Sequence, residues 1–206
     1  MFAGRPIIGI IGGVGSGKSH VARLFGEMGC AVIDSDRQVA EVYRWPEVLE
    51  TLRGWWGRQV IGPDGELDRR AVARIVFGDP EQRKRLEGLV HPLVGQLRDR
   101  DMRLASSDER VVGYVWDTPL LVEAGLDGAC DAVVFVEAPE EERRERVMRT
   151  RGWSQAEWQA REKSQMALDN KRKIAKYIIR NTAGADEDVR SQVREVLSCI
   201  LAERQR

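Results

Sequence analysis

The chain has 206 residues, 42% hydrophobic and 32% charged, a length and balance that fit one folded domain with a subdomain and no stretch polar enough to demand disorder. Its 33 basic residues offset 33 acidic ones, which argues against the overall positive field that gathers nucleic acid or an anionic membrane surface. Three widely separated cysteines, Cys30, Cys130 and Cys199, include no close pair of the zinc or redox type and fit a reducing compartment.

The segment from Met1 to Arg5 leads into a short apolar stretch interrupted by glycines, too brief for a signal peptide or a membrane span, so a cytoplasmic protein is expected. Residues 7 to 11 are the first of four short runs rich in Val and Ile, the others at 30 to 33, 111 to 116 and 132 to 136. Such continuous runs suit strands covered on both faces, hence a parallel sheet with helical crossovers.

Directly after the first run comes GGVGSGKS, Gly12 to Ser19, which satisfies the phosphate-loop pattern G-x-x-x-x-G-K-[ST]. Glycines allow the tight turn that aims successive amides of Gly13, Val14, Gly15, Ser16 and Gly17 inward at phosphates, and the following helix adds its positive end. Lys18 is placed to reach the β- and γ-phosphates of ATP, and the Ser19 hydroxyl to join a Mg²⁺ shell. Glycines at 13, 15 and 17 do not fit the dinucleotide spacing. Asn170 and Lys171 are followed by Arg172 and Lys173 rather than by a guanine-reading x-Asp, so ATP is the expected donor. Val21, Leu24, Phe25 and Met28 then recur at helical spacing.

The second run ends in VIDSD, which sets Asp34 and Asp36 at the carboxyl end of a strand, where open parallel sheets bind ligands. One carboxylate is suited to orient an acceptor hydroxyl and take its proton, with Asp36 favoured; the other supports a loop or a metal-bound water, or caps the next helix. Residues 47 to 105 show no strand and read as a helical substrate-binding insertion. The third run ends at Asp117, a position suited to hold Mg²⁺ through water or to cap a turn. The span from Glu140 to Lys176 is strongly charged and helical in composition, broken at Gly152, and reads either as a movable lid or as a solvated hairpin. A fifth strand is expected at Tyr177 to Ile179. The last helix carries Val189, Val193, Val196, Leu197, Ile200 and Leu201 on one core stripe. The expected division is thus a core of 1–46, 106–140 and 176–206, an insertion at 47–105 and a lid at 141–175.

Several separated motifs together resemble the dephospho-coenzyme A kinase family over nearly the whole chain. Beside GGVGSGKS and VIDSD these are GELDRRAVARIVFGDP (65–80), LEGLVHPLV (86–94), DTPLLVEAGL (117–126), RGW with Arg151, the segment from Arg161 to Gln165, and RNTAG (180–184). The resemblance implies a P-loop kinase fold of the three-layer α/β class, a five-stranded parallel sheet with a helical acceptor-binding insertion and a helical lid. It implies transfer of the γ-phosphate of ATP, with Mg²⁺, to the ribose 3′-hydroxyl of dephospho-coenzyme A. By the same resemblance Asp36 is the base, Lys18 steadies the transferring phosphoryl group, and Arg151 and Arg161 close over the phosphates. Asn181 and Gly184 flank the adenine, and His91, Pro119, Leu120 and Glu123 join Asp36 at the acceptor. Ser19 and Asp117 are the metal positions. The expected partners are small molecules only, with the protein a monomer or small homo-oligomer. Two departures from the family pattern are Ile11, where a Thr is usual, and Val39-Ala40-Glu41, where a basic residue is usual.

Two other readings share parts of the pattern. Shikimate and nucleoside monophosphate kinases have a similar loop, sheet and lid, and an ATP-controlled switch protein could use the charged region as a partner surface.

Overall fold

The computed structural model describes residues 1–203. A five-stranded parallel sheet is built from β1 (Ile7–Gly12), β2 (Cys30–Asp34), β3 (Gly113–Asp117), β4 (Ala132–Glu137) and β5 (Tyr177–Arg180), in the order β2-β3-β1-β4-β5. α1 (Lys18–Glu27) connects β1 to β2, and α2 (Ser35–Val42), α3 (Pro46–Trp56), α4 (Arg69–Gly78) and α5 (Pro80–Ser106) precede β3. α6 (Glu140–Arg151), α7 (Gln155–Lys163) and α8 (Leu168–Ile174) separate β4 from β5, and α9 (Asp186–Glu203) ends the described chain.

The apolar runs are continuous because successive side chains of one strand feed two separate cores. Ile8 and Ile10 of β1 join Val115, Val134 and Val136 on the face covered by α1 and α9, where Val21, Leu24, Phe25, Val189 and Val193 are buried. Ile7 and Ile11 join Ile33, Tyr114, Trp116, Val133 and Phe135 on the other face, together with Met102 and Leu121. Each large side chain removed from water in this way contributes about 1.5–3 kcal/mol, which holds β1 and the loop after it on a rigid base.

The chain divides into two compact units, one of Met1–Asp34 with the chain from Met102 onward, the other of Ser35–Asp101. The helical insertion therefore begins before the expected residue 47 and ends before 105. α2 buries Gln38 and Val42, and Val42 belongs to the second unit's own core with Val48, Leu52, Val72 and Val90. At the other end Met102 and Ala105 pack with side chains of the sheet. In the second unit Asp68 caps α4 by accepting from the N–H groups of Arg70 and Ala71 at 2.9 and 3.0 Å, and Pro92 interrupts the N–H ladder of α5. Among the described residues no helix is long and apolar enough to cross a membrane.

Candidate active site

β1 ends at Gly12 and α1 opens at Lys18, so the glycine-rich loop joins the central strand directly to a helix N-terminus. Gly15 and Gly17 turn it through left-handed backbone, φ 83° and 91°. Gly17 caps α1 without a side-chain hydrogen bond, and the first turn contains no acidic residue. That leaves the N–H groups of the first turn and the positive end of the helix dipole to an anion from outside the chain. Lys18 folds over the loop and donates from Nζ to the carbonyls of Gly12 and Gly13 at 3.1 and 2.9 Å. Burial lowers its pKa to about 8, helped by the positive charges of Lys171 and Arg151 and opposed by Asp117 and Glu162. The Ser16 hydroxyl is buried with no hydrogen-bond partner among the described residues, while Ser19 is exposed beside it.

The strand ends bring a second group of predicted residues to the same edge of the sheet. Asp117 stands in register with Ile10 of β1 on one side and with Asp34 of β2 on the other. Asp117 is 9% exposed, and its charge is felt by Lys18. Asp36 follows Asp34 in the first turn of α2, is exposed, and belongs to the helical unit, as does His91, exposed on α5. Pro119, Leu120 and Glu123 follow β3, and Leu120 is 44% exposed. Glu123, expected from sequence at the acceptor, is held by groups of the chain itself. Its carboxylate oxygen accepts from Nζ of the buried Lys171 and from the N–H of Met166, both at 2.9 Å, and so fastens the approach to α8.

α6, α7 and α8 supply several charged residues that composition alone leaves among solvated ones. Gly152 ends α6 in left-handed backbone, φ 65°, and Ser154 with Glu157 forms a capping box that starts α7. The intervening Trp153 carries Arg151 5.0 Å and Arg161 4.0 Å from its ring centroid, so the two predicted arginines share one aromatic support. Sequence reasoning missed Arg143, Arg146, Trp158 and Glu162, all of which touch the loop backbone. Arg146 donates to the Gly15 carbonyl at 2.9 Å, Arg143 and Trp158 each donate to the Val14 carbonyl at 3.3 Å, and Glu162 accepts from the Val14 N–H at 3.0 Å. Val14, Val147 and Trp158 form a small buried cluster, the one signal in the sequence, at apolar positions in an otherwise charged stretch.

Beside the loop lies a cleft of about 510 Å³, whose walls include Gly17, His20, Arg146, Asn181, Thr182 and Gly184. Gly184 turns there with φ 77°. Asn181 plays a part the sequence does not disclose. It is 4% exposed, and its side-chain amide donates to the Ser16 carbonyl at 2.7 Å, bracing the loop from the C-terminal end of β5. A Cβ added at Gly17 would lie 2.1 Å from that amide nitrogen, so the glycine is needed for the brace as well as for the turn.

A family model described as dephospho-CoA kinase matches residues 6–187. The chain is 39% identical to a dephospho-CoA kinase of Anaeromyxobacter dehalogenans, over 93% of this chain and 90% of that one. It is 42% identical to the corresponding protein of Thermus thermophilus, over the same shares of the two chains. A crystal structure of a Thermus thermophilus protein, 40% identical, superposes with a TM-score of 0.80 and covers 97% of each chain.

Proposed function

We propose the roles of individual residues from one premise: this chain belongs to the dephospho-CoA kinase family. It is a kinase that transfers a phosphoryl group from ATP to an alcohol of dephospho-coenzyme A, which excludes the other small-molecule kinases and the switch protein considered from sequence. The observation that carries the assignment of the ATP site is the uncapped N-terminus of α1, free of acidic residues in its first turn and overlaid by Lys18.

ATP sets its β- and γ-phosphates in the turn from Gly13 to Ser19, and its base in the cleft walled by Gly184 and Thr182. Phosphate oxygens draw Lys18 away from the carbonyls of Gly12 and Gly13 and raise its lowered pKa, because negative charge favours the ammonium form. Asp36 accepts the proton of the ribose 3′-hydroxyl as that oxygen forms its bond to the γ-phosphorus and the bond to the bridging β,γ-oxygen breaks, leaving ADP. Arg151 and Arg161, oriented on Trp153, meet the negative charge of the phosphoryl oxygens in the transition state. Ser19 and Asp117 offer the hard oxygen donors that would hold Mg²⁺, and the chemistry supplied there would be neutralisation of phosphate charge.

The test is ADP release measured with ATP and Mg²⁺ against dephospho-coenzyme A, shikimate and nucleoside monophosphates in parallel. Turnover is expected with dephospho-coenzyme A. Turnover of another acceptor with none of dephospho-coenzyme A would remove the assignment.

A further inference from the structure

Both main-chain polar groups of Val14 are held by side chains from α6 and α7. The N–H donates to Glu162 Oε2 at 3.0 Å, and the carbonyl accepts from Arg143 Nη1 and Trp158 Nε1, each at 3.3 Å. Glu162 is itself pinned, because Arg143 Nη1 donates to its other oxygen at 2.6 Å. Arg143 is nearly inaccessible, with its side chain 5% exposed, so its charge depends on Glu162 as the counter-ion.

The glycines of the loop fit this clamp closely. A Cβ on Gly13 would lie 2.4 Å from Arg143 Nη1, and one on Gly15 would lie 2.4 Å from the Arg143 carbonyl and 2.7 Å from Val147. Gly13 and Gly15, which fall at variable positions of the phosphate pattern, thus match the close approach of α6, apart from any demand made by phosphate. Glu162 engages the amide at Val14, ahead of the first turn of α1, so the N–H groups at the helix end are left to the nucleotide.

We propose that Glu162 is a positioning residue for phosphoryl transfer, clamping the phosphate loop through Val14 and acting on bound ATP through the loop. The proposal rests on the reading of this loop as the site of the ATP phosphates. A group that only helped the fold would lower the melting temperature without changing the affinity of the folded protein for nucleotide.

The experiment compares wild type with Glu162→Gln, which keeps size and loses charge. Binding of a non-hydrolysable Mg²⁺–ATP analogue is measured by calorimetry, and kcat and KM for ATP are measured separately with dephospho-coenzyme A as acceptor. Turnover by the wild-type preparation reports on the proposed function, and only the difference between the two proteins reports on Glu162. The variant is expected to bind the analogue roughly tenfold more weakly, the scale of a lost charge-assisted hydrogen bond, and to show a KM for ATP raised in proportion. Both changes are required. Unchanged or tighter binding, the latter meaning that the carboxylate competes with phosphate, overturns the proposal, as does an unmoved KM. If Glu162→Gln does not fold, Glu162→Asp decides: weakened binding supports the clamp, and wild-type or tighter binding overturns it.

Discussion

Lys171 is 1% exposed, and its ammonium group has two partners close at hand, Glu123 Oε1 and Gln165 Oε1, both at 2.9 Å. Glu123→Gln keeps the shape of the carboxylate and removes its charge, leaving a buried cation with neutral partners only. Loss of one member of a buried pair costs about 3–5 kcal/mol. Because Gln165 and the new amide oxygen still accept from Nζ, about 3 kcal/mol, at the lower end of that range, is expected. In a chain of this size that corresponds to a fall of roughly 6–12 °C in Tm. The reverse change, Lys171→Met, should cost less, since the Glu123 side chain is 21% exposed and can turn to water. The double variant should recover part of the loss, because a neutral pair leaves no charge stranded. Thermal unfolding followed by circular dichroism on the four proteins gives the cycle directly. The pH dependence carries the same sign. Burial of Glu123 is outweighed by the hydrogen bonds from Lys171 and Met166, which hold its pKa below the usual value, so its stabilising contribution is present above the ordinary carboxylate range and is lost as pH falls through the lowered pKa. A Glu123→Gln protein within about 0.5 kcal/mol of wild type, the range of neutral surface changes, would refute the reasoning.

Asp36→Asn should leave ATP affinity nearly intact and lower kcat by about 10²- to 10⁴-fold, the usual worth of a positioned base; steady-state kinetics with a parallel nucleotide titration checks it. For Lys18, with its pKa lowered to about 8, kcat/KM for ATP should decline as pH rises through that value, since the neutral amine no longer attracts phosphate. The corresponding limb of kcat should lie at higher pH, because bound phosphates raise the pKa. Gly17→Ala should abolish measurable nucleotide binding by calorimetry, as the new methyl group meets the Asn181 amide and the backbone there has φ 91°.

The sheet was legible because burial on both faces writes itself as uninterrupted Val and Ile. Even so, Val111 and Val112 lie before β3, packed against the two cores from irregular backbone, and the strand proper starts at Gly113. The start of the helical unit was hidden because α2 shows little apolar surface; it buries Gln38, whose amide donates to Asp101 at 2.9 Å. The phosphate loop was legible because its chemistry is local: strand, glycines, lysine and helix follow one another in the chain. Its supports are remote, with Glu162 and Asn181 far along the sequence from the Val14 and Ser16 they hold. Arg143 and Lys171 sit in a run of charges where nothing in composition separates a buried cation from a solvated one. Glu123 shows the converse limit, since a motif marks a position as constrained and leaves open whether a substrate or a buried lysine constrains it.

The most direct test of the central claim is transfer from γ-labelled ATP to dephospho-coenzyme A, with the position of the new phosphate read by ³¹P NMR in wild type and Asp36→Asn. Label on the ribose 3′-oxygen, formed far more slowly by the variant, is predicted. ATP consumed without labelled coenzyme A, or label on another oxygen, would contradict the account.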